Sequence, residues 1–530
     1  MNRIADVPPF IGLSLKGGFF VKPMSALKST LLLTAVSLFG QGVGFVYRVF
    51  LSRMVGAEVM GLYQLVMPVF SVLMSLTAIG FTVACSNLSA RYQALGNHAA
   101  AAQTVRSCIA GFLTAFAVVA LVVAPLSDPI SAGLLGDARA QLGLLLLLPC
   151  VLLTGLENIH KHSFYGLGRV APPAFTEILE QLIRAGAVLG LLWYFLPQNP
   201  ERTVGLIVCG MILCEVFSAV TLSVLYRRAF GRNPKGERVD GKVLGKNIRS
   251  IALPIGWTAL LGNLMGAATS VLIPQRLVRA GADVSSAMSA FGVMCGMTLP
   301  MLTLPTAFIS AISLVLLPKL SQARALGRTD LIRRRAGKAI TATAWLILPT
   351  SALLAVVGPP LGRALFREPS VGLFAAPLAL GVVLTCFESV LAGCLNGLGK
   401  QTLAARNGLI CGAIQLLLTW WRMGLPGVGL RGYVEALLVS TLLGVWLNGR
   451  ALHRAINLPC QWFHWLVAPG LSALLAGLCA NLLFPILTRS GLGEGAGAAV
   501  CLGFGALLYL SAMAAQGELR HREAGTGLSR

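Results

Sequence analysis

Charged side chains are scarce in this 530-residue chain, and acidic ones are the scarcest. Only 12% of its residues are charged and 56% are hydrophobic, whereas a soluble domain has about 25% charged residues. The longest polar segment between hydrophobic runs, residues 227–249, has only two acidic residues, Glu237 and Asp240. This scarcity argues against a membrane-embedded glycosyltransferase or polymerase, because such an enzyme needs carboxylates on a sizeable aqueous loop or domain.

Metal-ligand clusters and paired cysteines are also lacking. The twelve cysteines lie almost entirely in hydrophobic runs, and the six histidines are scattered without ligand spacing. We therefore expect no disulfide, no bound metal and no organic cofactor. No cleavable signal peptide is predicted, because the apolar stretch 10–15 is short and is followed by Lys16 and two glycines. Residues 1–23 are interpreted as a cytoplasmic leader without fixed structure, or as the product of a misassigned start.

Hydrophobic runs of about 20 residues, each able to cross a hydrocarbon core of about 30 Å, fill most of the sequence. Fourteen such runs predict an all-α polytopic membrane protein with fourteen transmembrane helices. The predicted spans, numbered 1 to 14, are residues 28–52, 61–84, 103–127, 140–164, 172–195, 203–226, 249–274, 286–316, 338–358, 371–396, 403–421, 430–449, 464–486 and 495–516.

The basic excess gives a net charge of +23, but its distribution argues against a nucleic-acid partner. If the chain starts in the cytoplasm and basic residues near the span ends are counted with the adjoining segment, 30 lysines and arginines fall in inside segments and 10 in outside loops. Such a bias places both termini in the cytoplasm. The two densest basic runs, 227–249 and 319–338, are expected to contact anionic membrane lipids.

One phrase occurs twice at an offset of 231 residues. Leu-Thr-x-x-Glu at 153–157 recurs at 384–388, and Gly-Leu-Gly at 166–168 recurs at 397–399. Six predicted spans separate the copies, and duplicating an even number of spans preserves orientation. The repeat therefore predicts two parallel six-helix lobes, followed by two additional C-terminal helices.

The chain is expected to be a monomer. Its domain boundaries follow from the repeat and from the charged segments. After the leader, the predicted divisions are a first lobe at 24–230, a basic cytoplasmic linker at 231–248, a second lobe at 249–455, spans 13 and 14 at 456–516, and a cytoplasmic tail at 517–530.

Polar side chains within the spans are candidates for a substrate cavity, because an ionised group at the bilayer centre costs at least about 2.5–3.5 kcal/mol. Gln41 and Arg48 share one helical stripe of span 1, and Gln64 belongs to a polar stripe of span 2. The alternative is tight helix packing through small residues. Arg53, at the outer end of span 1, is a further substrate-binding candidate in an outer basic rim, with ordinary solvated loop charge as its alternative.

Span 5 places Glu180, Gln181 and Arg184 on one face, with Glu180 four residues before Arg184 in the order that favours an ion pair. Two interpretations stay open. Arg184 either lends positive charge to a substrate cavity, with Gln181 beside it, or neutralises itself against Glu180 at the helix end.

The repeated Glu157 and Glu388 are candidates for coupling transport to H⁺ or Na⁺, although they equally suit a structural role at a helix end. Glu180 is a third coupling candidate. Pro300 and Pro305 predict a kinked or broken span 8 that could bend during alternating access.

Four segments resemble the stage V sporulation protein B group of the multidrug/oligosaccharidyl-lipid/polysaccharide exporter superfamily. They are Leu-Lys-Ser-Thr at 27–30, Gly-Phe-Val-Tyr-Arg at 44–48, Gly-Leu-Tyr-Gln at 61–64 and Glu-Gln-Leu-Ile-Arg at 180–184. The resemblance implies a V-shaped pair of lobes around a central cavity. It also implies flipping of undecaprenyl-diphosphate-linked sugars in the bacterial cytoplasmic membrane, for the cell wall or spore peptidoglycan.

Residue by residue, the resemblance implies that Arg48 and Arg184 hold the lipid diphosphate. One departure concerns the end of span 4, where members commonly read Arg-Gly-Tyr-Phe-Gln-Gly and this chain has Lys161 followed by His-Ser-Phe-Tyr-Gly. The inner gate therefore differs in detail from that of the group.

A multidrug cation antiporter of the same superfamily is the alternative function. It would need a carboxylate in the first-lobe cavity, and spans 1 to 3 have no Asp or Glu within the membrane. This absence disfavours it. An uncoupled lipid scramblase cannot be separated from a flippase by sequence.

The charge bias predicts that a reporter fused to the C-terminus faces the cytoplasm. Alkaline phosphatase fused after residue 517 should be inactive and green fluorescent protein at the same place should fluoresce, because the phosphatase folds only outside. Phosphatase fused after residue 282, between spans 7 and 8, is the matched control and should be active. The reverse pattern would overturn the predicted orientation.

Overall fold

A computed structural model describes residues 26–195, 199–230, 236–458 and 461–517. The predicted leader, residues 231–235 of the linker and most of the predicted tail lie outside the described residues. Within those ranges the regular structure is entirely helical, as predicted. The α-helices are α1 (Ala26–Thr77), α2 (Ile79–Ala94), α3 (His98–Val123), α4 (Gln141–Gly166), α5 (Ala171–Phe195), α6 (Pro200–Phe230), α7 (Gly241–Arg279), α8 (Val284–Phe291), α9 (Leu299–Thr303), α10 (Thr306–Ala325), α11 (Thr329–Phe366), α12 (Ala375–Gly397), α13 (Gln401–Arg422), α14 (Leu430–Ile456), α15 (Ala468–Arg489) and α16 (Glu494–Ala515).

Thirteen helical segments of the described chain are long and apolar enough to cross a membrane. The first of them, Leu32–Thr77, covers predicted spans 1 and 2, so the thirteen segments agree with fourteen predicted spans. Short π-helices at Pro129–Leu135, Gly292–Thr298 and Phe463–Val467, and a 3₁₀ turn at Ala138–Ala140, complete the described helices. Following the predicted orientation, we call the end near residues 26 and 517 the inner end and the opposite end the outer end.

The turn between spans 1 and 2 is a kink rather than a loop. Gly56 has φ 78° and ψ 178°, which is not helical, so α1 consists of two helices that meet directly at this residue. Only glycine takes such a positive φ without steric cost, so this residue lets the chain reverse at the outer end without a loop. Span 2 then continues to Thr77, breaks at Ala78 and resumes as α2.

Two lobes and two additional helices form the bundle, as the repeat predicts. In the first lobe, α6 packs against α4 and α5, and α1 packs against α5. In the second lobe, α12 packs against α10, α11 and α14, and α13 packs against α14. Helices α15 and α16 pack on each other and on α11, while α7 lies along α1 and α2 of the first lobe. The exact domain boundaries stay a prediction.

The lobes touch backbone to backbone near the outer end. A Cβ atom built on Gly61 of α1 would lie 2.0 Å from the carbonyl oxygen of Met288, and one built on Gly292 would lie 2.0 Å from the carbonyl oxygen of Ala57. Only residues without a side chain allow this approach. We call this contact the outer glycine crossing.

Arg53 strengthens the closure of the outer end. Its Nε donates to the carbonyl oxygen of Leu365 at 2.5 Å and its Nη2 to that of Ala364 at 2.8 Å. These carbonyls belong to the last turn of α11 and have no partner within the helix, so the guanidinium caps that helix from the opposite lobe. Its partners in this structure are backbone atoms at the rim.

Span 8 is interrupted, as its prolines predict. The π-helix Gly292–Thr298 leads into the five-residue α9, and a turn at Leu304 and Pro305 precedes α10. A π-helix and a proline both disturb the regular hydrogen bonding of an α-helix. That Pro300 and Pro305 bend during transport stays a prediction.

Gly292→Ala should weaken the outer glycine crossing, because the new Cβ would overlap a backbone oxygen that has no rotamer to change. We expect a loss of about 1–3 kcal/mol of unfolding free energy, seen as a lower melting temperature of the purified protein in detergent. Gly262→Ala is the matched control, since a Cβ there meets nothing within 4 Å. Equal melting temperatures for the two variants would contradict the crossing.

Candidate functional site

Three carboxylates from three helices meet inside the first lobe. Glu157 of α4, Glu180 of α5 and Glu215 of α6 have exposed fractions of only 3%, 6% and 3%. Arg184 joins two of them: its Nη2 donates to Glu180 Oε1 at 2.5 Å and to Glu215 Oε1 at 3.1 Å. The ion-pair interpretation of Arg184 and Glu180 therefore describes this structure, with Glu215 as an additional partner that the sequence did not indicate.

A second basic residue, Lys161, lies beside the carboxylates of the first lobe. Lys161 Nζ lies 3.6 Å from Glu157 Oε1 and 3.4 Å from Glu177 Oε2, so it ties α4 to α5. Lys161 stands where the sequence departs from the group it resembles. We call these four glutamates with Lys161 and Arg184 the acid–base cluster.

Two bases serve four carboxylates, so the fully ionised acid–base cluster has an excess of negative charge. Uncompensated charge in a low-dielectric interior is costly, and it is relieved by a bound cation or by protonation. Ligand atoms of Glu180, Cys214 and Glu215 lie within 4.8 Å of one another, and Arg184 Nη2 bridges the two carboxylates of this group. The coupling role of Glu157 and Glu180 stays a prediction.

Arg184 is engaged by its own lobe. Its side chain is 25% exposed and its charge is balanced by two carboxylates. Its Nε is buried without a hydrogen-bond partner in the described part of the chain, so one donor is unused. As a source of free positive charge for a cavity, Arg184 is therefore weaker than the sequence suggested.

Arg48, unlike Arg184, is not engaged by carboxylates of the described chain. It is half-buried in α1, and within the described residues it has neither an ion pair nor a hydrogen bond. Gln41, two turns before it, is exposed, while Gln181 and Gln64 are half-buried. Gln181 contacts α1, since a Cβ built on Gly40 would lie 3.8 Å from its Cγ, so the structure places it beside the Gln41 and Arg48 helix.

Gln64 lies elsewhere along α1. A Cβ built on Gly296 of the π-helix would lie 3.6 Å from Gln64 Cγ, so this side chain contacts the second lobe. Arg53 of α1 donates to carbonyls of α11 at the rim, so the six predicted substrate-binding residues do not form one cluster. Gln181 lies beside Gly40 and therefore close to Gln41. Arg48 lies two turns further along α1, and Arg184 is on the same helix as Gln181.

The second lobe has no matching charges at the equivalent positions. The offset of 231 relates Glu177, Gln181 and Arg184 to Gly408, Gly412 and Gln415. These latter residues line a cavity of about 490 Å³ between α7 and α13.

Glu388, the repeat partner of Glu157, has no ion pair within the described residues. It packs instead against Gly444, where a Cβ would lie 2.4 Å from its Oε1. The two glutamates of the repeat thus occupy different electrostatic environments.

Comparison with protein families gives two matches. Residues 26–324 match the family model described as polysaccharide biosynthesis protein, and residues 297–393 match that of the lipid II flippase MurJ.

Two proteins of Bacillus subtilis (strain 168) are similar over most of their length. Stage V sporulation protein B is 25% identical over 442 residues, which cover 81% of this chain and 84% of that protein. Sporulation protein YkvU is 22% identical over 384 residues, covering 70% of this chain and 82% of that protein.

Solved structures share the fold. Lipid II flippase MurJ in its inward closed conformation superposes with a TM-score of 0.68 at 13% identity, covering 93% of this chain and 99% of that one. An inward-facing multidrug resistance MATE family transporter superposes with a TM-score of 0.65 at 16% identity, covering 81% of this chain and 99% of that one.

The two arginines should differ in their effect on stability. Arg184→Ala leaves Glu180 and Glu215 without a base, and breaking a buried pair costs about 3–5 kcal/mol; we expect the lower end because Arg184 is 25% exposed. Arg48→Ala breaks no described ion pair and should leave the melting temperature nearly unchanged. Thermal unfolding in detergent measures both.

A compensated variant separates lost charge pairing from lost packing. Arg184→Met combined with Glu180→Gln and Glu215→Gln removes all three charges and should recover most of the stability of Arg184→Ala. Failure to recover any of it would show that the ion pairs do not explain the loss.

Proposed function

Because the chain belongs to the polysaccharide biosynthesis protein family, we propose that it flips a lipid-linked oligosaccharide across the membrane by alternating access. It is a transporter rather than an enzyme. A relative from Bacillus subtilis and a solved structure of the same fold are both named lipid II flippase MurJ. The proposed substrate is an undecaprenyl-diphosphate-linked glycan, namely a peptidoglycan precursor for cell-wall or spore-cortex synthesis.

The half-buried, unpaired Arg48 is the observation that supports this proposal best. A guanidinium keeps its charge in a low-dielectric site and offers forked donors that match phosphate oxygens. Its desolvation is unfavourable without an anionic partner, and within the described residues no carboxylate supplies one. A lipid diphosphate would supply that partner, with Gln41 and Gln181 as neutral donors close by.

The rest of the lipid suits the same arrangement. The prenyl tail would stay in the bilayer while the diphosphate-sugar head crosses between the lobes. The proposed location is the bacterial cytoplasmic membrane, with both termini in the cytoplasm and the protein acting as a monomer. The basic inner segments, including Arg333 to Arg335, would contact anionic lipid headgroups.

A cation-coupled multidrug antiporter is the second candidate, and the acid–base cluster is the observation that favours it. Its carboxylates would exchange H⁺ or Na⁺ for a cationic drug. Glu180 and Glu215 are already bound to Arg184 and are nearly fully buried. We therefore propose that these carboxylates serve ion coupling in a flippase rather than drug binding.

Arg48→Ala should reduce flipping of the lipid-linked glycan at least tenfold, because the diphosphate loses its only unpaired guanidinium partner in span 1. The measurement is outer-leaflet accessibility of the lipid-linked sugar in membrane vesicles. Arg48→Lys keeps the positive charge but loses the paired donors of the guanidinium, so its flipping rate should lie between those of Arg48→Ala and the unmodified protein.

The control is Arg489→Ala, which removes an exposed charge from α15, outside both lobes. It should flip at the rate of the unmodified protein. Full flipping by Arg48→Ala would refute the assigned role. Efflux of cationic dye by the unmodified protein, with no movement of lipid-linked sugar, would support the antiporter instead.

A further inference from the structure

A cavity of about 500 Å³ lies at the outer end, away from the acid–base cluster. Its walls come from α8, the π-helix that follows it, the segment between α11 and α12, and the start of α14. Ala57 of α1 adds a wall from the first lobe. The volume falls within the range of roughly 300–1,000 Å³ that small-molecule sites occupy.

Hydroxyl groups line this outer cavity. Ser285, Ser286, Ser289 and Thr298 all contribute to its walls. Within the described residues none of these four hydroxyls has a hydrogen-bond partner. Elsewhere in the helices such groups commonly donate to a carbonyl one turn earlier, as Ser75 does to Ser71 at 2.8 Å.

Thr298 is the most informative of the four. Its side chain is buried, with an exposed fraction of 3%, yet its hydroxyl has no partner among the described residues. The hydroxyl lies on the cavity wall, so a ligand in the cavity can supply its hydrogen-bond partner.

The charged residues in the cavity lining indicate which ligands the cavity suits. Glu368 is its one charged residue, and it accepts a hydrogen bond from Ser370 Oγ at 2.6 Å. No lysine, arginine or histidine is among the lining residues, so the cavity does not suit a diphosphate. Hydroxyls that both donate and accept, with one acceptor carboxylate, suit a neutral, hydroxyl-rich ligand.

Phe374 supplies an apolar surface in the lining of the outer cavity. A sugar ring has polar hydroxyls at its edge and apolar C–H groups on its faces, so it needs both kinds of surface. The cavity offers both together.

The position of the cavity connects it to the closure of the outer end. The backbone of Ala57 lies against Gly292 in the outer glycine crossing. Ala57 and Val293 also line the cavity. Separation of the lobes at this crossing would therefore widen the cavity toward the outer side.

We propose that this outer cavity is a subsite for the carbohydrate moiety of the transported lipid, occupied when the head group arrives at the outer side. The inference rests on the proposed function and adds a second recognition site to it, one without basic residues in its described lining. The diphosphate is recognised by charge in the first lobe, whereas the sugar is recognised by hydroxyls mainly from the second lobe.

Thr298→Val tests the subsite, because valine keeps the volume and removes the hydroxyl. Equilibrium dialysis of the purified full-length protein with radiolabelled N,N′-diacetylchitobiose, a neutral disaccharide, gives the dissociation constant. We expect Thr298→Val and Glu368→Gln each to weaken binding at least fivefold, and the combination at least twentyfold.

The matched control is Thr343→Val. Thr343 is likewise buried in a helix, but its hydroxyl donates to the carbonyl of Ala339 at 2.9 Å and it does not line the cavity. Its dissociation constant for the disaccharide should stay within twofold of that of the unmodified protein. Equal weakening by Thr343→Val and Thr298→Val would overturn the subsite.

Undecaprenyl diphosphate without sugar distinguishes failure of the subsite from failure of the proposed function. Its affinity should be the same in Thr298→Val, Glu368→Gln and the unmodified protein. Binding of this lipid without any binding of the disaccharide would overturn the subsite alone. Binding of neither would overturn the proposed function too. Binding of phosphoethanolamine in place of the disaccharide, lost in Glu368→Gln, would overturn the carbohydrate assignment.

Discussion

The buried contact of Arg184 with Glu180 and Glu215 is the interaction on which the first lobe depends. It joins α5 to α6 where the two carboxylates are almost fully buried, so removing the arginine would leave their charges without a partner. Lys161 repeats this arrangement between α4 and α5. Both bases are engaged by carboxylates of their own lobe, whereas Arg48 of α1 has no ion pair within the described residues and is the better-suited partner for an anionic head group.

The overall fold could largely be predicted, because membrane-spanning helices are specified by the length of apolar runs and by the distribution of basic residues. The family match over residues 26–324 confirms the resemblance drawn from short segments such as 44–48 and 180–184. The direct junction of two helices at Gly56 was not predicted, since hydropathy does not report a positive φ at a single glycine. The π-helix in span 8 was missed for a similar reason, although its prolines indicated an interruption.

The site was predictable only where partners are neighbours on one helix. Glu180 and Arg184 are four residues apart, so their pairing follows from helical spacing. Glu215 lies 31 residues after Arg184, and Arg53 bonds a carbonyl 312 residues away. No periodicity links such positions, because the packing of whole helices decides which of them meet. The difference between the ion-paired Arg184 and the unpaired Arg48 could therefore be seen only in the structure.

The central claim is that Arg48, and not the internally neutralised Arg184, provides the free positive charge for a lipid diphosphate. Titration of purified protein in detergent with undecaprenyl diphosphate tests it most directly, using the unmodified protein, Arg48→Ala and the charge-free combination of Arg184→Met, Glu180→Gln and Glu215→Gln. The account predicts binding at least tenfold weaker in Arg48→Ala and within threefold of the original in the triple variant. Unchanged binding in Arg48→Ala, with binding lost in the triple variant, would contradict it.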